Sequence, residues 1–243
     1  MSQSLKTGID ALLILGTRKS VGVTELAQAL DINKSTAFRI LDTFLEANMV
    51  EKTKDTQKYK LGPAILKLSE QYYKNFSDIA EAKPLMNHLA EEIRESVHLC
   101  VCANSKAVVI EQTMSDSLLV VNAKIGNSEP LHSSAVGKCL VAFALEEERK
   151  KMLSSIGFEK YTEKTIDNAE AFNAELTRVR AQGWAIDDGE LSEHIRCVAV
   201  PVLDNKGNCR YSLGTSGASS RMTQEKIERI IPLMLKTAAN IIN

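Results

Sequence analysis

The sequence predicts an α+β chain in two parts: a winged helix-turn-helix head, then a linker helix and a larger domain with a mostly antiparallel sheet. Three observations lead there. Residues 24–30 and 34–47 carry the spacing of two short amphipathic helices, joined by the polar turn Asp31-Ile32-Asn33. Beyond Glu95 the hydrophobic period falls to that of strands, and strands and helices then interleave to the end of the chain. The length of 243 residues suits about two domains.

Taken in order, residues 8–18 place Ile9, Leu12, Leu13 and Leu15 near one helical face. A turn follows at 19–22, and Thr24 is the expected N-cap of the next helix. The third helix, 34–47, is expected to turn Phe38, Leu41, Phe44 and Leu45 inward, with Asn33 or Ser35 as its cap. Residues 49–53 and 58–61 read as two short strands around a charged turn, the pattern of a wing. Gly62-Pro63 ends the wing, and 64–76 is an amphipathic helix linking the domains. A helix at 79–94 contains Pro84, expected to shorten or kink it. Strands are predicted at 97–103, 107–113 and 118–124, a loop at 126–131, and helices at 133–144, 146–156 and 169–182. Strands at 184–186, 196–203 and 210–215 precede a final helix, 223–242. The expected domains are 1–61 (winged head), 62–76 (linker) and 77–243 (sheet domain).

With 44% hydrophobic and 25% charged residues, the chain can bury a core. No apolar run approaches the roughly 20 residues that span a bilayer, so no membrane partner is expected. The first six residues lack the apolar region of a secretory signal, and five cysteines without a C-x-x-C pair suit reduced thiols. The cytoplasm is the expected compartment. A net charge of −1 hides a split: residues 1–76 carry 11 Lys/Arg against 8 Asp/Glu, and residues 77–243 carry 19 against 23. A mildly basic head places the DNA-attracting potential on the part that has the helix-turn-helix.

An α-helix fits the major groove, and its first turns reach base edges and phosphates. Asn33, Lys34, Ser35, Thr36 and Arg39 occupy that position on the third helix. Arg39 has the fork to donate two hydrogen bonds to guanine, and the hydroxyls suit bases or phosphates. Lys52, Lys54 and Lys58 in the wing would meet phosphate or the neighbouring minor groove. The competing reading is plain: Ser35 and Thr36 cap a helix, and the lysines are solvated.

Three clusters in the larger domain have the residue types of a ligand site. Residues 130–138 place two serines and free backbone N–H groups at a helix start, where an anion fits. Residues 187–190 form an acidic turn, and residues 196–201 and 214–217 read as strands ending in small residues. Two chemical alternatives share these residues. Cys197, His194 and Asp187 contain the groups of a thiol nucleophile, base and orienter, although Val198 and Val200 suggest a packed strand. His98, Cys100 and Cys102 alternate along one strand face, and with His132 or His194 they make a possible zinc set; burial in the core is the simpler account.

Five stretches in order carry a resemblance. They are residues 32–41, the Tyr59-Lys60-Leu61-Gly62 exit of the wing, the 130–138 helix start, residues 183–190, and the Arg196-Cys197 strand 196–202. Together they resemble the IclR family of bacterial transcriptional regulators from about residue 5 to the C-terminus. Residues 161–166 are most similar to its KdgR-like branch, which responds to sugar-acid catabolites. The resemblance implies a repressor-type regulator without a cofactor, whose C-terminal part is a GAF-like effector-binding domain. Its partners would be double-stranded operator DNA, a small organic acid such as a sugar acid or 2-keto acid, and further copies of itself as a homodimer or homotetramer. It also implies a pocket formed by the Ala135 and Val136 N–H groups, Asp187, Cys197 and Ser216, with Leu118 as an apolar wall. Where the family pattern S-x-S-G has its first serine, this chain has Gly214, so one donor is lost and the ligand would be larger or differently oriented. The runner-up is a small-molecule-processing enzyme or metal sensor on the same domain.

Overall fold

Fifteen residues, Gln3–Thr17, coil into α1, and α2 (Val23–Ala29) and α3 (Lys34–Glu46) complete a three-helix group. The computed structural model describes residues 2–116, 121 and 123–242, and the chain divides into two units, 1–76 and 77–243. In the first unit Ala11, Leu15, Leu26, Ala27, Ala37 and Leu41 close the core together with Val21, Val50 and Tyr59. The expected inward faces hold at Leu15 and Leu41, with Leu12 and Phe44 packed partly buried beside them, but Ala11 and Ala37 take inward positions where larger residues were expected. Ala11 and Leu15 are buried, while Ile9 and Leu13 are 49% and 64% exposed and, with Leu5, form a four-residue repeat on another face of α1. On α3, Ala37 and Leu41 face inward, and Phe38 and Leu45 remain exposed.

Caps and turns fix the spacing of these helices. Thr24 is not the cap of α2; Gly22 is, and the Glu25 carboxylate reaches back to accept its N–H at 2.9 Å. Asp31 adopts a left-handed φ of 52°, as short polar residues tolerate, and the Ile32 N–H bonds the Ala27 carbonyl at 3.0 Å. The wing is β1 (Val50–Lys52) paired antiparallel with β2 (Tyr59–Leu61), and Val21 bridges to Tyr59. At the wing exit the Gly62 N–H bonds Met49 O and the Ala64 N–H bonds Asn48 O, at 2.8 and 3.0 Å. A Cβ at Gly62 would overlap the Asn48 carbonyl oxygen. Helix α4 (Ala64–Asn75) starts from this junction.

The second unit begins with α5 (Ser77–Ile93), which continues through Pro84 rather than ending there. Strands β3 (Ser96–Ala103), β4 (Lys106–Thr113) and β5 (Ser128–Pro130) precede the helices α6 (Ala135–Phe143), α7 (Glu146–Ser154) and α8 (Ala169–Gln182). Strands β6 (Ala185–Asp188), β7 (Ile195–Leu203) and β8 (Cys209–Ala218) and helix α9 (Gln224–Ala238) complete it. Among the described residues the sheet order is β5-β4-β3-β8-β7-β6, with every pair antiparallel.

Two predictions for this unit need correction. The loop expected at 126–131 holds an edge strand, β5, and β6 runs on through Asp187 and Asp188, so the acidic pair sits on a strand end. The strand expected at 118–124 falls largely outside the described residues.

Register places the chemistry. Asp187 pairs with Cys197, Cys197 with Ser216, and Ser216 with Ser96, giving one row across β6, β7, β8 and β3. Two residues further along, Ala185, Ala199, Gly214 and His98 form a parallel row on the same face, since side chains alternate with period two. Helix α6 covers this face: Cys139 Sγ bonds Ala199 O at 3.2 Å, and Val136 lies over Gly214.

Candidate functional site

The outer face of α3 gathers exposed polar, basic and aromatic side chains at a capped helix start. Asn33 Oδ1 accepts the Thr36 N–H at 2.8 Å and the Ser35 hydroxyl at 2.7 Å, so Asn33 is the cap and Ser35 supports it. Lys34, Ser35, Phe38 and Arg39 are all exposed on this helix. Phe38 was expected in the core; its place beside Arg39 gives the face an apolar ring of the kind that contacts a thymine methyl. The outward spacing Ser35-Phe38-Arg39 was the missed signal. In the wing Lys54 is exposed, and Lys52 stands 5.5 Å over the Tyr59 ring. Lys58 is partly spoken for, because its ammonium lies 2.6 Å from Glu25.

The second site lies under the start of α6. Ser134 caps the helix, accepting the Gly137 N–H at 3.1 Å while donating to the Pro130 carbonyl at 2.6 Å. The first N–H groups, of Ala135 and Val136, have no intrahelical acceptor and carry the positive end of the helix dipole. Gly137 permits the arrangement, since a Cβ there would stand 2.5 Å from Leu131 Cα. Below the helix, Asp187 accepts the Glu190 N–H at 2.6 Å, and Ser216 donates to Cys197 Sγ at 3.1 Å. Gly214 lies in the adjoining row. Ala135, Val136, Asp187, Cys197, Gly214 and Ser216 therefore share one face. Leu118 lies outside the described residues.

Sequence reasoning named the 130–138 and 187–190 clusters but did not bring their charged groups together. Lys138, 1% exposed, places its ammonium 2.5 Å from Glu190, 3.3 Å from Glu175 and 2.9 Å from the Ile186 carbonyl. Burial pushes the Asp187 carboxyl up to about 6, although two backbone N–H groups pull against it. Burial likewise pushes Glu190 up to about 7 and raises Glu129. Cys197 and Glu129 keep some accessible surface, and burial raises the pKa of both. Only the G-K pair at the helix start hinted at Lys138.

The chemical alternatives lose their geometry. Cys197 is engaged by Ser216 and Asp187 rather than by a histidine, and burial holds its thiol well above the usual range, which disfavours the nucleophilic thiolate. His194 is exposed. Among the described residues no group of three or more His, Cys, Asp or Glu is arranged to hold a metal. His98 and Cys100 are core residues at 2% and 0% exposure.

Comparison with known proteins settles the lineage. The family model described as the IclR helix-turn-helix domain matches residues 4–54, and that described as bacterial transcriptional regulator IclR C-terminal matches residues 71–243. The chain belongs to the IclR family. Within it, the chain is 33% identical to the HTH-type transcriptional regulator KdgR of Escherichia coli (strain K12), over 96% of this chain and 88% of that protein. That likeness supports the KdgR-like branch. The solved IclR structure from Thermotoga maritima superposes with a TM-score of 0.81 at 26% identity, covering 99% of this chain and 98% of that one. An IclR homologue from Microbacterium hydrocarbonoxydans, solved in complex with 4-hydroxybenzoate, shares the fold at a TM-score of 0.82 and 20% identity, covering 97% and 96% of the two chains. IclR-type regulators join a helix-turn-helix to a C-terminal effector-binding domain, and this chain is built on that plan. Among the described residues no helix is long and apolar enough to cross a membrane.

Proposed function

We propose that this regulator grips an operator with two copies of α3 and that a small organic acid, a sugar acid or 2-keto acid, sets its affinity. The observation that carries the ligand half is the convergence, under one helix start, of the Ala135 and Val136 amides with the buried Asp187–Cys197–Ser216 row. Helix-start amides suit a carboxylate, Ser216 suits a carbonyl oxygen, and Asp187 suits the hydroxyls of a ligand. The Microbacterium homologue's 4-hydroxybenzoate is an acid with a hydroxyl, which agrees in class.

On the DNA side, Arg39 is the base reader, Lys34, Ser35 and Thr36 flank it, and Lys52, Lys54 and Lys58 approach the backbone, with Lys58 first leaving Glu25. Residues 1–61 serve as the reading head, 62–76 as the lever and 77–243 as the sensor. The exposed Leu5, Ile9 and Leu13 beside an apolar groove of about 800 Å³ between α1 and α3 support pairing of two heads. Pairing sets two recognition helices about 34 Å apart, and a ligand that favours one spacing shifts the DNA equilibrium. A binding role without turnover, in the cytoplasm where the operator lies, follows from this reading.

Fluorescence anisotropy with a promoter fragment from beside the gene tests it. Arg39→Ala is expected to weaken specific binding by about 1–3 kcal/mol and leave non-specific binding nearly unchanged. Equal binding of wild type and variant to every fragment would sink the operator reading.

A further inference from the structure

Among the described residues, four have a buried side-chain polar atom without a hydrogen-bond partner, and His98, beneath α6, is one of them. His98 on β3 is 2% exposed, and among the described residues its Nδ1 has no hydrogen-bond partner. A buried polar atom in that state is costly, and a bound group that supplies the bond would relieve it. The neighbouring row differs: Ser96 accepts the Ser115 N–H, Ser216 donates to Cys197, and Asp187 takes two backbone N–H groups.

The position of the ring is tied to residue 214. His98 and Gly214 are cross-strand partners, and a Cβ on Gly214 would stand 2.5 Å from His98 Nε2 and 2.6 Å from Val136 Cγ1. The Nε2–Cε1 edge of the imidazole and the Val136 side chain therefore both occupy the space that a side chain at 214 would take. The ring fits only because position 214 has no side chain. Burial holds the ring's pKa down at about 4, so it is neutral and offers one donor and one acceptor. A neutral ring does little to attract a carboxylate, but it can recognise a hydroxyl or carbonyl oxygen.

We propose that His98 is an effector-binding residue that hydrogen-bonds a hydroxyl of the ligand and so selects polyhydroxylated acids over short acids that carry none. This rests on the organic-acid reading above. The amides of α6 take the carboxylate, and Gly214 is the space that admits the ring.

Calorimetric titration of the full chain with D-gluconate, 2-keto-D-gluconate, pyruvate and glyoxylate tests both layers. Wild type is expected to prefer the first two. His98→Leu should weaken those two about tenfold and leave pyruvate within about twofold, the loss of one buried hydrogen bond. His98→Gln, which retains a donor and an acceptor, should recover part of the loss. Gly214→Ser should displace the ring and weaken the same two acids. Because a core substitution can misfold, the imidazole ¹⁵N resonances of wild type give a second readout, and those of His98 should move on saturation with the preferred acid. Unchanged affinities in His98→Leu, a still His98 resonance, or a wild-type preference for pyruvate or glyoxylate would overturn the assignment while leaving the acid pocket standing. A folded wild type that binds none of the four acids overturns the pocket and His98's role together.

Discussion

At 2.5 Å from the Lys138 ammonium, Glu190 would ordinarily hold its charge tightly. Desolvation and the neighbouring Asp187 and Glu175 carboxylates outweigh that contact and push its pKa from 4.5 to about 7. A folded-state pKa above the unfolded one means that the fold favours the protonated acid. Its stabilising contribution is complete below pH 4.5 and is lost as pH rises through about 7. Asp187, raised from 3.8 to about 6, acts in the same direction over a lower window. Thermal melts from pH 5 to 8 should show wild type losing stability relative to Glu190→Gln as pH rises. Gln changes the baseline by loosening Lys138, so only the slope is diagnostic, and parallel curves would refute the desolvation account.

Among the elements, α3 shows how a single side chain sets a helix start. Asn33 is exposed and holds both the Thr36 N–H and the Ser35 hydroxyl, so Asn33→Ala should destabilise the head by about 1 kcal/mol in chemical denaturation. Ser35→Ala should cost less, because it removes only a bond to the cap; the reverse order would make Ser35 the cap. The helix itself was legible from its period and from Asn33, and the wing from its charged turn. Its inward face was misjudged because Phe38 is apolar and Ala37 is small. Hydrophobicity favours the ring, but close helix packing selects the methyl. The edge strand β5 went unseen since three residues around Pro130 carry no alternation, and its pairing with Lys106–Val108 is long-range. In the candidate site, the Asp187, Cys197 and Ser216 row could be read from motifs. Lys138, Glu190, Glu129 and the His98–Gly214 pair could not, because only cross-strand register and burial bring them together.

At the scale of the whole molecule, the exposed apolar face of α1 and the charge of the head matter most. Leu5, Ile9 and Leu13 recur every four residues on α1, all well exposed, a stripe that a lone chain leaves in water. Leu13→Glu should shift sedimentation toward the single-chain species and weaken operator binding; an unchanged mass would place the pairing surface elsewhere. With a head of net +3 carrying lysines in the wing, operator affinity should fall steeply as salt rises, in proportion to the phosphates neutralised.

The knot at the wing exit bears on how any signal could travel inside the head. With Gly62 bonded to Met49, Ala64 bonded to Asn48, and no room for a side chain at Gly62, the root of α4 is pinned to the tail of α3. A torque applied to the far end of α4 then meets no slack at that joint. Under the paired reading proposed above, α3 would turn with it like a key on its shaft, and a modest twist would misalign two such keys on one duplex.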